Sequence, residues 1–155
     1  MKLTHLSDAG EVWMVDISAK EPTVRQASAS AIVKCQSATI DTIRAGAARK
    51  GDVLAVIRLA GIQATKLAPQ IIPLAHPIAI HGAQVDIELG EDEIRLRAHV
   101  KTADRTGIEM EALTAVTCAA LTAIDMIKGI DRAAYIANAQ VDRKTGGRSG
   151  TFERN

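Results

Sequence analysis

Aromatic residues are almost missing from this sequence. Trp13, Tyr135 and Phe152 are the whole set, 2% of 155 residues. That removes the stacking platforms on which single-stranded nucleic acids are usually held. It also leaves the core to Ala, Val, Ile and Leu, within a hydrophobic content of 47%. Small aliphatic side chains fill space in thin layers, so the elements must approach closely, and further burial by association of subunits is expected. Cysteine is scarce too: Cys35 and Cys118 lie far apart, with no CxxC and no Cys/His cluster. A structural zinc site is therefore not expected. Each thiol sits in an apolar pattern and reads as a small packing residue, as in a cytoplasmic protein. An excess charge of one sign is also lacking, because 19 Lys and Arg face 18 Asp and Glu for a net charge of +1. No bulk field draws the chain to nucleic acid or an acidic membrane. Neither a membrane-spanning run nor a signal peptide is visible; the first 12 residues mix Lys2, His5, Asp8 and Glu11. Repeats, low-complexity tracts and internal linkers are missing as well. One domain over 1–155 is expected, with polar, loose ends at about 1–12 and 148–155.

What is present is clear periodicity. From Arg25 to Cys35, Ala27, Ala29, Ala31 and Val33 alternate with Ser28, Ser30 and Lys34, which predicts a half-buried strand. Ser37 is placed to cap a short helix ending at Gly46. A second helix is expected from Gly51 to about Ala68, with Val53, Val56, Ile57, Ala60 and Ala64 at helical spacing, closed by Pro69 and Pro73. Ala83 to Leu89 and Ile94 to Val100 alternate about the turn Gly90–Glu93, which predicts an antiparallel hairpin. The clearest helix runs from about Gly107 to Lys128. Thr106 and Glu109 would form a capping box, Leu113, Val116, Ala120, Ile124 and Ile127 a buried stripe, and Gly129 the stop. A last strand would carry Tyr135, Ala137, Ala139 and Val141 on one face. The order strand, two helices, two strands, helix, strand implies an α+β, ferredoxin-like antiparallel sheet with helices packed on one face.

Several residues suit chemistry. Asp125 and Lys128 are i,i+3 on one side of the long helix, beside its apolar stripe. A helix-end ion pair explains them as well as a catalytic pair does. Glu109 reads first as a capping residue, whereas Glu111 is an acidic first-turn residue without that explanation. Glu111 and Asp125 are fourteen positions apart, about 21 Å along a helix axis. One small reacting centre cannot touch both on a single copy of the helix. His76 lies in a loop stiffened by Pro73 and Pro77, which suits either a presented histidine or a plain turn. Lys50 stands before Gly51 and Asp52 at a helix start, where free N–H groups favour an anion; the alternative is a solvated loop lysine. Lys144-Thr-Gly-Gly-Arg-Ser-Gly150 sets a glycine-rich backbone between Lys144 and Arg148, either a nest for phosphate or a polar tail. It is not a Walker A loop, because the glycine order differs and no helix pattern follows. With Arg25 and Lys66 added, the inventory of cations and acid/base groups suits rearrangement of a phosphorylated small molecule without a redox cofactor.

Seven segments occur in one order: Met14 to Lys20, Lys50-Gly-Asp52, Ala60-Gly-Ile-Gln-Ala64, Ile72-Pro-Leu-Ala-His-Pro77, Thr106 to Thr114, Asp125-Met-Ile-Lys128, and Lys144 to Gly150. Together they resemble the cyclic pyranopterin monophosphate synthase family of molybdenum cofactor biosynthesis, over roughly residues 3–152. The resemblance implies a lyase that converts a cyclised dihydro-GTP, made by a radical GTP cyclase, to cyclic pyranopterin monophosphate with loss of pyrophosphate. It implies a homohexamer, a trimer of dimers, with sites at the dimer interface. Asp125, Lys128, Lys50 and His76 take the catalytic positions. Leu74, Ala75, His76, Met110 and Glu111 take substrate contacts; Glu109, Lys144, Arg148 and Arg25 are added from the charge inventory. No protein-held cofactor or metal is expected, with room for a magnesium ion on the pyrophosphate. The chain departs from the family pattern at Ala75, where many members carry cysteine, and at Arg105 and Arg148, where lysine is usual. Arginine keeps the charge and grips phosphate, but does not donate a proton at neutral pH, so Arg148 is assigned to binding. The competing reading is a non-catalytic, nucleotide-binding regulatory module of ferredoxin-like fold.

Overall fold

A computed structural model describes residues 9–155. The expectation of a loose end at residues 1–12 falls mostly outside the described part. The elements are β1 (Thr23–Lys34), α1 (Ser37–Arg44), α2 (Val53–Ala64), α3 (Ala68–Ile71), β2 (Gly82–Leu89), β3 (Glu93–Asp104), α4 (Glu109–Ile127), β4 (Tyr135–Thr145) and β5 (Phe152–Glu153). The sheet order is β2-β3-β1-β4-β5, and every neighbouring pair is antiparallel. The four long strands follow the split βαβ order of the ferredoxin-like plan: β3 is inserted between β1 and β2, and β1 between β3 and β4.

The helices cover one face. Ala27, Ala29, Ala31 and Val33 of β1 and Ile94, Leu96, Ala98 and Val100 of β3 are buried beneath α4. Their alternation is the one the sequence predicts, and the hairpin register Leu89↔Ile94 to Ala83↔Val100 follows it. With so few aromatics, depth comes from closeness. Gly61 of α2 crosses α4 so tightly that a Cβ there would stand 2.9 Å from Val85 and 3.3 Å from the Ala115 carbonyl. By length and mean hydropathy (1.5) α4 could cross a membrane. Its burial against β1, β3, β4 and α2 makes it the core helix instead. The buried set is broader than a single stripe: Ala112, Ala115, Ala119 and Ala123 are fully buried, while Leu113 and Ile124 are only partly so. Alanines face the sheet because the helix axis lies close to it.

Several local expectations are corrected. Ser37 is the first residue of α1, and the N-cap is Gln36. The predicted second helix stops at Ala64, and Pro69 sits in the first turn of α3, where its missing N–H costs nothing. Val56, expected in the buried stripe, is 39% exposed. The capping box is not formed: Ile108 is the N-cap of α4 and no side chain caps it. The face assigned to the last strand fails because β4 is bulged against β1 at two places, skipping Ala137 and Asp142. Each bulge inserts one residue and reverses the parity of side chains. Ile136, Ala139 and Val141 thus share the helix-side face, and Tyr135 falls on the other. The C-terminal end, expected to be loose, returns as β5, pairing Lys144↔Phe152 and Arg143↔Glu153.

Candidate active site

Two groups of the candidate residues lie at opposite ends of α4. At its C-terminal end, Lys128 Nζ is 2.7 Å from Asp125 Oδ1. Lys50 Nζ is 2.7 Å from Asp125 Oδ2 and donates also to the Asp125 carbonyl, 2.8 Å away. That carbonyl belongs to the last turn of the helix, where backbone acceptors lack helical partners. Lys50 is thus turned to Asp125 and not to the start of α2, where Asp52 itself supplies the cap by accepting from Ala55 N. The hydrogen bonds from Lys128 and then Lys50 hold the Asp125 carboxyl down at about 2, well below its usual range. All three side chains remain about half exposed, so the two ammonium groups are open to a negatively charged ligand.

At the N-terminal end of α4 lies a cavity of about 380 Å³. It gathers Leu74, Ala75 and His76 from the proline-stiffened loop, and Glu109, Met110 and Glu111 from the first turn. Six of the expected site residues therefore meet in one cleft. His76 donates from Nε2 to the Val15 carbonyl at 2.7 Å, since a carbonyl can only accept. Its Nδ1 is the nitrogen left for a ligand. Glu109 does not cap the helix; its carboxylate folds back over Gly107, whose missing Cβ makes the room. Glu111 is 3% exposed. Burial, with the nearby charge of Glu109 adding to it, raises its carboxyl to about 7.

The tail cations belong to this second end. Arg25 donates from Nε to the Asp104 carbonyl at 2.9 Å, two residues before Thr106 of the cleft. Gly146 and Gly147, at φ of +89° and +74°, fold directly over Arg25, and any side chain on them would strike the Val24 carbonyl or the guanidinium. Lys144 pairs with Ala27 in the sheet, so it points to the helix side, and its ammonium group meets the Ser149 hydroxyl. Arg148 is exposed beside it.

Sequence reasoning named no site residue in the stretch after Met14, yet Val15, Ile17 and Lys20 line the cleft. Asp16 carries a carboxyl lowered chiefly by the Ser18 backbone N–H and hydroxyl, and further by His76. Arg105 Nε holds the Lys20 carbonyl at 2.7 Å. The stretch has no helical or strand periodicity, so only its place among the seven ordered segments marked it.

A pH-dependent stability difference follows from Glu111. Its folded carboxyl is raised above the ordinary 4.5, so the fold favours the protonated form. Below 4.5 there is no penalty; as pH rises towards 7 the unfolded chain ionises first and the fold loses up to roughly 3 kcal/mol. In denaturant titrations the advantage of Glu111→Gln over the unsubstituted chain should grow between pH 4.5 and 7 and level off above. A difference that stays flat across that range would overturn the assignment of a raised carboxyl to Glu111.

Comparison with known proteins gives a consistent result. The MoaC family model matches residues 14–147. A cyclic pyranopterin monophosphate synthase of Streptomyces avermitilis is 46% identical over 153 residues, covering 99% of this chain and 90% of that protein. One from Nocardioides is 47% identical, covering 99% of this chain and 96% of its own. Cyclic pyranopterin monophosphate synthase 3 of Mycobacterium bovis is 50% identical, covering 98% of this chain and 86% of its own.

Proposed function

The chain belongs to the MoaC family, and from that premise we propose that it is a lyase of molybdenum cofactor biosynthesis. It converts a cyclised dihydro-GTP to cyclic pyranopterin monophosphate and releases pyrophosphate. The observation that carries this reading at the level of residues is Asp125, gripped by Lys50 and Lys128. A module that only bound a nucleotide would need the cations but not a carboxylate set between two of them. Such a triad suits a reaction in which protons move and negative charge builds on a leaving phosphate.

The roles follow from position. Lys50 and Lys128 neutralise developing charge and exchange protons under the control of Asp125. His76, Glu109 and Glu111 serve the opening and reclosing of the ring in the cleft, where a carboxyl near 7 both gives and takes a proton at neutral pH. Leu74, Ala75 and Met110 contact the flat ring system. Arg25, Lys144 and Arg148 hold the phosphates, with Lys20 beside them. An oxygen of the sugar attacks the innermost phosphorus, the bond from that phosphorus to the bridging oxygen of the next phosphate breaks, and pyrophosphate leaves; a magnesium ion, where one is bound, would add to the charge neutralisation that Arg25, Lys144 and Arg148 supply. The reaction uses no cofactor of the protein's own, and Ala75 means that it uses no thiol nucleophile at that position. A radical GTP cyclase supplies the substrate, and the enzyme works in the cytoplasm.

The site is composite. The two ends of α4 are too far apart for one small substrate, and the outer side of the helix layer exposes Leu59 (69%), Ile71 (58%) and Leu121 (56%). Covering these side chains with a second copy in antiparallel register brings the lysines of one subunit to the cleft of the other. Three such dimers form the hexamer. The direct test is incubation of the folded protein with the cyclised dihydro-GTP. Pterin product and pyrophosphate in equal amounts are expected, and the reading fails if a folded oligomer yields neither.

A further inference from the structure

The most deeply buried carboxylate among the described residues belongs to Asp131, 1% exposed, in the link between α4 and β4. No step above uses it. Its Oδ2 accepts from the backbone N–H of Gln36 at 2.7 Å and from the Thr39 hydroxyl at 3.3 Å. Its Oδ1 accepts from Ala133 N at 3.1 Å. Gln36 is the N-cap of α1 and has no side-chain cap bond of its own, so a carboxylate from far along the chain occupies that end of the helix.

Two paths run from this carboxylate to the triad, a short one to Lys128 and a longer one along the whole of α1 to Lys50. On one side Asp131 N and Ile130 N both donate to the Ile127 carbonyl at 2.9 Å, which fixes the turn holding Lys128. On the other, α1 is only eight residues long and anchored by buried Ile40 and Ile43. It leads through Ala47, whose N–H donates to the Thr42 carbonyl, and Ala48, whose carbonyl accepts from Gly51 N, to the segment that presents Lys50. The two lysines come from segments remote in sequence; Asp131 joins the turn after Lys128 to the N-terminal end of α1, whose other end leads on to Lys50.

We propose that Asp131 is a positioning residue, which sets Lys50 and Lys128 against Asp125 by clamping α1 to the end of α4. Its catalytic meaning rests on the reading of that triad given above; the clamp itself does not. Asparagine is the informative replacement. It keeps the shape, but its amide N–H₂ must face either the Gln36 N–H and the Thr39 hydroxyl or the Ala133 N–H, so a donor meets a donor.

The test is competitive acetylation of the assembled protein with limiting acetic anhydride, read lysine by lysine by peptide mass spectrometry. Lys66 and Lys101, both exposed and outside the triad, are internal references. In Asp131→Asn, labelling of Lys50 relative to the references should rise about fivefold, the scale of one exposed ion pair set free. Turnover should fall about tenfold with KM within about twofold, since small misplacements act on the chemical step. Thr39→Val, which removes one donor and keeps the volume, should move Lys50 labelling the same way by about half as much on a logarithmic scale. Unchanged Lys50 labelling, or a rise shared equally by Lys66 and Lys101, overturns the proposal. Should Asp131→Asn fail to fold, Thr39→Val decides by the same criterion. If the unsubstituted protein makes no product, the catalytic reading fails while the labelling still decides whether the clamp exists.

Discussion

Replacing Lys128 by alanine is expected to cut turnover about a thousandfold while the oligomer stays intact, the scale seen when one preorganised charge-stabilising donor is removed. Lys128 is 60% exposed at the end of α4 and, among the described residues, pairs with Asp125 alone. Surface pairs of this kind add little to stability, so the fold should not notice the loss. The Asp125 carboxyl should rise towards its ordinary range, because Lys128 is the largest cause of its depression, with Lys50 still holding it below. Lys128→Arg is the sharper variant. It restores the charge but not a transferable proton, so recovery of phosphate binding without recovery of rate would separate the two duties of the amine. Steady-state kinetics with sedimentation velocity would read both expectations, and an unchanged rate would remove Lys128 from the reaction.

The second large effect comes from mixing inactive proteins. Lys128→Ala and Glu111→Gln disable opposite ends of α4, about 21 Å apart by helical rise. If each site takes its lysines from one subunit and its cleft from the other, a mixed dimer has one site carrying both defects and one carrying none. Random reassembly of equal amounts should then restore about a quarter of the full activity from two nearly dead preparations, by counting sites across a two-fold interface. Reassembly after mild dissociation, with activity followed against the mixing ratio, would show a maximum at equal amounts. No recovery would place the whole site within one chain and would require a bound substrate to bridge the ends of α4. The exposed Leu59, Ile71 and Leu121 give a further check: Leu59→Glu, in α2 and away from Asp125 in the chain, should block association and with it activity.

The sequence by itself determined the strands and helices whose burial repeats with a single period. Ala27 to Val33, the hairpin from Ala83 to Val100 and the long helix expected from about Gly107 to Lys128 follow from apolar positions that recur at strand or helix spacing; in the fold that helix runs Glu109–Ile127. Their order determined the sheet, since few arrangements join such elements by short links. The sequence also determined which residues are chemically able, among them Asp125, Lys128, His76 and Glu111. Tertiary structure decided what periodicity does not encode. Two bulges reversed the face of β4, because parity along a strand holds only while pairing is regular. The tail became β5 because an open edge of β4 was there to receive it. Glu109 left the helix cap for Gly107, and Asp131 became a cap for a helix far away in the chain. Lys50 met Asp125 across 75 positions of sequence. Such contacts depend on where the folded chain returns, and a side chain of the right length and charge is suitable for many partners until the fold selects one.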